Sequence, residues 1–171
     1  MTQTLELSGV RDTGERAAEP QLERESPRPP QRRRQRVAAY GIVRDASGRL
    51  LLVRAAPYLT VAGWWFLPGG GVEHGEDPVE SLRREVREET GLAIASTTLL
   101  GVLSDTWPIP DGTLLHTVRL VYRVGTWTGE LRPEASGSSD DAAWFEPEEL
   151  AQVPIVRYAR EALARYGDTA S

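Results

Sequence analysis

The sequence predicts a single α/β domain, because strand-like and helix-like segments alternate along a chain of domain size. The 171 residues suffice for one core and are too few for two ordinary domains. Short aliphatic runs bounded by Gly, Pro and Asp indicate strands, whereas two other segments have the spacing of a helix with one apolar face. No internal repeat is present, so one α/β fold is expected.

The predicted elements begin at residue 37. Two apolar segments on either side of the turn Asp45–Gly48 suggest a β-hairpin, and the run Pro68–Gly71 ends a short strand before the first helix. The expected strands are Val37–Val43, Leu50–Arg54, Trp64–Leu67, Thr98–Ser104, His116–Val124 and Ala142–Phe145, and the expected helices are Pro78–Thr90 and Ile155–Tyr166.

The first 36 residues differ in composition from the rest. They are Pro-rich and carry 8 Arg against 6 acidic residues, whereas residues 37–171 carry 12 Arg against 19 acidic residues. A charged, Pro-rich segment without aromatic residues is typical of disorder, so residues 1–36 are expected to form a disordered arm ahead of a domain at 37–171. The alternative is that the arm binds an anionic partner through Arg32, Arg33, Arg34 and Arg36.

Several classes of protein are excluded by charge and composition. The acidic excess after residue 36 argues against a nucleic-acid partner, since basic side chains supply most of that affinity. No apolar run approaches the roughly 20 residues of a membrane span, and the start of the chain lacks the apolar region of a secretory signal. The chain has no cysteine, so thiolate zinc sites are excluded. We expect a cytoplasmic protein without a membrane partner. The sequence leaves open whether the protein forms a homodimer.

The ends of the first helix are clearly marked. Asp77 is a favourable N-cap, Pro78 suits the first helical position, Glu80 lies three residues after the cap, and Gly91 is a natural stop. At about 100° per residue one apolar stripe should face the core. That stripe consists of Val79, Leu82 and Val86.

Three glutamates, Glu85, Glu88 and Glu89, fall on another face of this helix. Like charges at this spacing repel, and the C-terminal end of a helix disfavours anions, so a cation there would relieve the cost. Magnesium is the natural candidate because it takes oxygen ligands and is often completed by substrate phosphates, and manganese would be its substitute. The alternative is a solvated face whose charges are balanced by Arg83, Arg84 and Arg87.

The glycines before the helix allow a close approach of the backbone. Gly69, Gly70 and Gly71 either place N–H groups around a phosphate or form a tight turn between strand and helix. By themselves they do not distinguish these two roles.

Together, loop and helix resemble the Nudix box, the 23-residue pattern G-x5-E-x7-R-E-U-x-E-E-x-G-U in which U is a bulky aliphatic residue. The matching residues are Gly70, Glu76, Arg84, Glu85, Val86, Glu88, Glu89, Gly91 and Leu92. The resemblance implies a Nudix hydrolase domain at 37–171, folded as an α/β/α sandwich around a mixed β-sheet.

The resemblance also implies roles for single residues. Glu85, Glu88 and Glu89 would bind magnesium, and Arg84 would orient this face by pairing with Glu76 or with one of the ligands. Either Glu88 or Glu89 would act as general base for water attacking phosphorus. A further acid from a distant loop is an alternative base or ligand, and the candidates are Asp140, Asp141, Glu130 and Glu134.

Selectivity must come from segments outside the box. Tyr58, Trp64 and Trp107 either stack on a base or pack within the protein. The loops that carry them are aromatic and acidic with few cationic side chains, which favours a small nucleotide-like substrate of the ADP-ribose type, a nucleoside diphosphate joined to another group, over one with a third phosphate. A (deoxy)nucleoside triphosphate pyrophosphohydrolase and a non-catalytic nucleotide-binding regulatory module are the alternatives.

Overall fold

The computed structural model describes residues 32–133 and 137–167. Within them, seven strands, two helices and one turn of 3-10 helix, Glu149–Ala151, follow one another. The strands are β1 (Arg33–Val43), β2 (Leu50–Ala55), β3 (Trp65–Phe66), β4 (Gly69–Gly71), β5 (Ala93–Pro108), β6 (Leu114–Thr128) and β7 (Ser139–Phe145), and the helices are α1 (Pro78–Thr90) and α2 (Arg157–Tyr166).

The strands form two sheets. A mixed sheet has the order β4-β1-β6-β5, with β1 and β6 parallel, and a second, antiparallel sheet has the order β3-β2-β7. The predicted hairpin of β1 and β2 is therefore wrong, although the turn at Asp45–Gly48 is present and one bridge joins Arg44 to Leu50. Both edges of β1 are occupied by β4 and β6, so β2 pairs elsewhere.

A helix covers each side of the strands. In β2, Leu50 and Leu52 pack in the same cluster as Ala159 of α2, whereas Leu51 points the other way, into a cluster with Leu82 of α1. Strands buried on both faces between two helices make an α/β/α sandwich. The predicted fold class is confirmed, with the strands divided between two sheets.

Helix α1 has the predicted ends. The Asp77 carboxylate accepts hydrogen bonds from the N–H groups of Val79 at 2.8 Å and Glu80 at 3.4 Å. Gly91 ends the helix in the left-handed region, at φ 74°, and its N–H donates to the Arg87 carbonyl. This firm start and stop fixes the rotation of α1 and hence the direction of its glutamates.

Strand β1 begins before the predicted strand start at Val37. Its first residue is Arg33, which already pairs with β6. The pairing uses backbone groups, which need no apolar side chains, so an arginine-rich segment gave no strand pattern. The rest of the expected arm, residues 1–31, lies outside the described residues. No helix in the described ranges combines the length and apolarity needed to span a bilayer.

Candidate active site

The glycine strand β4 lies between β1 and the start of α1. A Cβ on Gly69, whose φ is +130°, would collide with the carbonyl oxygen of Ala39. A Cβ on Gly70 would lie 2.5–2.7 Å from the carboxylate atoms of Glu85. The glycines therefore form a short strand on which a helix carboxylate rests, and not the tight turn that the sequence also allowed.

The three glutamates of α1 occupy different environments. Glu89 is buried, with 1% of its surface exposed, and accepts a hydrogen bond from the Gly69 N–H at 2.9 Å. The Glu85 side chain is 18% exposed and the Glu88 side chain 52%. Burial raises the pKa of Glu85, and the opposing effect of neighbouring Arg84 is smaller. The same helix face thus presents a buried, a half-buried and an exposed carboxylate.

Arg84 joins these carboxylates to the loop before the helix. Its Nε and Nη2 donate to the two carboxylate oxygens of Glu76 at 3.0 and 3.1 Å, and its Nη1 lies 2.9 Å from Glu85 and 3.4 Å from Glu88. The hydrogen bond from Arg84 is the main reason that the pKa of Glu76 falls to about 2. The expected pairing of Arg84 with Glu76 is confirmed, and it holds the guanidinium against the glutamate face.

The carboxylates suit a hard divalent cation in their chemistry. Glu85 fills the space that the missing Cβ of Gly70 leaves, and both Glu85 and Glu88 are accessible from one side. Across the described ranges, however, no three acidic or histidine side chains converge closely enough to hold a metal. Of the three glutamates, Glu88 is the most exposed, and its contact with Arg84 is a long one of 3.4 Å.

Beside the glutamates lies a cavity of about 500 Å³. Its floor is the face of the four-stranded sheet opposite α1, its near edge is formed by β4 and Glu85, and the remaining walls come from the β2–β3 connection and the start of α2. The floor residues are Arg36, Tyr40, Asp105, Trp107 and Arg119, and the walls include Leu59, Val61, Trp64, Phe66, Val156, Arg157 and Tyr158.

Strand register orders these groups across the cavity. Thr117 of β6 is the register partner of both Arg36 in β1 and Asp105 in β5, so Arg36 and Asp105 are two strand spacings, about 10 Å, apart. From β4 to β5 there are three spacings, about 14 Å. A ligand lying across the strands can therefore reach from the glutamates to Asp105 and Trp107.

A buried ion pair closes the far end of the cavity. Arg119, 7% exposed, donates from Nη1 to Asp105 at 2.7 Å, and its guanidinium lies 4.5 Å from the ring centre of Tyr158. Arg157 approaches the other Asp105 oxygen at 3.6 Å. Burial raises the pKa of Tyr158 well above its ordinary value, so that ring stays neutral. These contacts fix the Asp105 carboxylate in place.

The substrate-binding residues expected from the sequence separate into two groups. The three glycines, Gly69, Gly70 and Gly71, line the cavity, as do Trp64 and Trp107, which are 46% and 47% exposed. Tyr58 is not among the described residues that line it. Its ring is exposed, and its hydroxyl donates to the Gly137 carbonyl.

The additional acids considered for the site lie elsewhere. Asp140 and Asp141 are paired with Arg54, at 2.8 and 3.5 Å, and Glu130 is paired with Arg132. None of these lines the cavity, and Glu134 lies outside the described residues. Asp105 is the acid that the fold supplies to the cavity in addition to Glu85.

Cationic side chains line the cavity, although the loops considered from the sequence carry few of them. Arg36, Arg119 and Arg157 all line the cavity. They come from β1, β6 and α2 and not from the loops considered from the sequence. Arg36 belongs to the segment that the composition predicts to be a disordered arm. For Arg36, the sequence held one signal of a strand. Arg34 and Arg36 alternate evenly with the apolar residues that follow in β1.

Comparisons with known proteins agree with this geometry. A model of the NUDIX domain matches residues 34–166. The ADP-ribose pyrophosphatase of Methanocaldococcus jannaschii is 34% identical over 131 residues, covering 75% of this chain and 70% of that protein. Nucleoside triphosphatase NudI of Salmonella schwarzengrund is 32% identical over 145 residues, covering 78% and 98%. The crystal structure of a MutT NUDIX hydrolase from Burkholderia pseudomallei has a TM-score of 0.66 at 31% identity, covering 78% of this chain and 98% of that chain.

Proposed function

The chain belongs to the NUDIX family of hydrolases, and on that premise we propose that it is a magnesium-dependent enzyme that cleaves the diphosphate linkage of a nucleoside diphosphate joined to another group, with an ADP-ribose-like substrate favoured. The observation that carries this proposal is the position of Glu85, which lines an aromatic-walled cavity of about 500 Å³ beside the other two glutamates of the helix. Diphosphate and nucleoside then have adjacent places to bind.

Glu85, Glu88 and Glu89 are the proposed ligands of magnesium, for which manganese would substitute. When bound, such a cation polarises a phosphate and lowers the pKa of a water molecule. The chain contributes three carboxylates in three settings: Glu89 held by the Gly69 N–H, Glu85 resting on Gly70, and Glu88 exposed and in contact with Arg84.

Arg84 has a proposed role in positioning, and Glu88 has a proposed role in proton transfer. Arg84 keeps Glu85 oriented and offsets repulsion among the carboxylates, since it touches Glu85 and Glu88 at once. Of the two candidate bases, Glu88 is the better placed, because a base must reach the attacking water and the Glu88 side chain is exposed to solvent. Glu89 is buried and accepts a hydrogen bond from the Gly69 N–H.

The far part of the cavity supports a nucleoside-binding role. Trp64 and Trp107 offer exposed ring faces for a base. Asp105, held by two arginines, keeps lone pairs that suit the hydroxyl groups of a ribose. One relative, described as an ADP-ribose pyrophosphatase, is 34% identical to this chain.

A second candidate is hydrolysis of a (deoxy)nucleoside triphosphate. The three arginines of the cavity favour it, since an additional phosphate needs cations, and the relative NudI is a nucleoside triphosphatase. Two of those arginines are already paired with Asp105, which leaves fewer positive charges for a third phosphate. The remaining alternative, a non-catalytic binding module, would bind nucleotides without turnover.

A substrate comparison tests the proposal. The chain is incubated with ADP-ribose or with each nucleoside triphosphate, in magnesium, in manganese or in EDTA, and products are resolved by chromatography. We expect AMP and ribose 5-phosphate from ADP-ribose only when metal is present. Oxygen-18 water then identifies the phosphorus that was attacked. A higher kcat/KM for a triphosphate, with release of pyrophosphate, would replace the favoured substrate, and binding without any turnover would support the regulatory module.

A further inference from the structure

We propose that Arg36 of β1 is a phosphate-binding residue, which holds the substrate phosphate lying next to the glutamate face on the cavity side. This inference rests on the proposed function and specifies how the diphosphate is bound. Arg36 lies outside the glutamate helix and its glycine strand, within a segment whose composition suggested disorder.

The position of Arg36 follows from strand register. Ala38, two residues further along β1, is the partner of Gly71 in β4. The Arg36 side chain lies against Gly71. Its Nη2 and Nε are 3.2 and 3.3 Å from the position that a Cβ on Gly71 would occupy. A side chain at residue 71 would push the guanidinium away, so glycine here lets the cation lie against the backbone beside Glu85, at the cavity edge.

The charge of Arg36 acts on the Glu85 carboxylate, but Arg36 forms no close ion pair with any residue that the structure describes. Glu85 already receives a hydrogen bond from Arg84 at 2.9 Å, and Arg84 also pairs with Glu76 and Glu88. Arg119 and Arg157, the other arginines of the cavity, are paired with Asp105. Among ion pairs within 4.0 Å in the described ranges, none includes Arg36. Its donors are therefore available to a ligand.

A phosphate is the ligand that this setting favours. The planar guanidinium presents paired N–H donors that match two phosphate oxygens. Arg36 is in β1, one strand spacing from the glycine strand, and so about 5 Å further into the cavity. A diphosphate whose scissile end lies at the glutamates places its other phosphate in that direction, before the nucleoside reaches Trp107 and Asp105.

Arg36 also lies close enough to Glu85 to act only as a positioning residue for that carboxylate. The two roles have different consequences. A phosphate-binding residue affects the affinity for pyrophosphate and the KM, with little change in metal affinity. A residue that only positions Glu85 affects the affinity for magnesium and kcat, and leaves metal-independent contacts with phosphate unchanged.

The test compares Arg36→Ala with Arg34→Ala. Arg34 is on the same strand and the same sheet face, is also exposed, and lies beside Leu114 and His116 instead of in the cavity. Calorimetry measures the binding of magnesium alone, of inorganic pyrophosphate with saturating magnesium, and of adenosine. We expect Arg36→Ala to weaken pyrophosphate binding about tenfold or more, to leave magnesium and adenosine binding unchanged, and to raise KM more than it lowers kcat, whereas Arg34→Ala matches the wild type.

Arg36→Lys adds a second check, because it keeps the charge and loses the planar pair of donors, so it should restore only part of the pyrophosphate affinity. Equal pyrophosphate affinity in the two alanine variants would overturn the proposal, as would a loss confined to magnesium binding. Pyrophosphate binding does not require turnover. Failure of ADP-ribose hydrolysis therefore rejects the proposed function without deciding the role of Arg36.

Discussion

The two ends of the cavity are built in different ways. At the glutamate end, the three glutamates, Arg84 and Glu76 come from one continuous stretch of 23 residues, Gly70–Leu92, in which a short strand leads into a capped helix. At the far end, Asp105, Arg119 and Tyr158 come from β5, β6 and α2, and they meet only because the sheet and helix bring them together.

The difference separates chemistry from selectivity. The glutamate end depends on local geometry, namely the spacing of carboxylates along one helix and the caps that fix its rotation. The far end depends on strand register, which is sensitive to pairings between residues distant in sequence. We therefore expect changes at the glutamate end to affect turnover and changes at the far end to affect substrate affinity.

The largest effect is expected from neutralising the glutamates. Glu88→Gln and Glu89→Gln should each lower kcat by about two to four orders of magnitude without loss of folding, because neutral amides are poor magnesium ligands. The matched control is Glu80→Gln, an exposed change on the same helix where the carboxylate pairs with Arg83 instead of facing the cavity. Turnover is measured by steady-state kinetics at saturating magnesium. Near-normal turnover in both variants would refute the catalytic role of this end.

A smaller effect, about a hundredfold in kcat, is expected from Gly70→Ala. The added Cβ would meet only the movable end of Glu85, so the carboxylate should shift while the melting temperature stays nearly unchanged. In Gly69→Ala the Cβ meets the backbone oxygen of Ala39 at a positive φ, so that variant should lose stability. Thermal unfolding and kcat measured together distinguish the two glycines. A similar loss of stability in both variants would contradict the expectation that Gly70→Ala acts by displacing the Glu85 carboxylate.

At the far end, we expect Trp107→Ala to raise KM about tenfold with kcat little changed, since stacking of one base contributes about 1–3 kcal/mol. Tyr58→Ala is the control, because that exposed ring lies in a neighbouring loop and does not line the cavity. If the two variants had the same KM, or if Trp107→Ala lowered mainly kcat, the division between the ends would be incorrect.

The smallest effect concerns pH. Glu76 has a pKa of about 2 in the folded protein, compared with an ordinary value of 4.5, chiefly because Arg84 donates to it. Its stabilising effect is therefore complete above about pH 4.5 and is lost as the pH falls toward 2. Relative to the wild type, Glu76→Gln should have a lower melting temperature at neutral pH, and the gap should narrow in acid. A gap that stayed constant across this range would mean that the ionised pair does not stabilise the fold.

The sequence predicted the glutamate end well because its signals are local. Asp77, Gly91 and the apolar spacing of α1 each act within a few residues, and the structure has the helix at the predicted bounds. The boundaries of β5 and β6 extend well beyond the predicted segments, since both strands continue as an exposed pair with few buried side chains. Such a ribbon is held by backbone hydrogen bonds, for which no side-chain pattern is required.

The cavity walls were harder to predict because they depend on tertiary structure. Arg36 looked like part of an arm until its strand was paired with β6. Tyr58 and Trp107 are both aromatic residues in or near loops, and no local property distinguishes the one that lines the cavity. The proximity of Asp105 to Arg119 follows from the register of β5 on β6, which a single sequence does not specify.

The contact between Gly70 and Glu85 has a consequence for how such a fold diverges. One methyl group at residue 70 would meet the Glu85 carboxylate, while the sequence of the helix, its caps and all its glutamates would be unchanged. On the proposed function, a descendant with that change would keep the cavity and lose most of its turnover, and selection would then no longer maintain its glutamates. Residue 70 is therefore where a transition from enzyme to binding protein would leave its earliest trace.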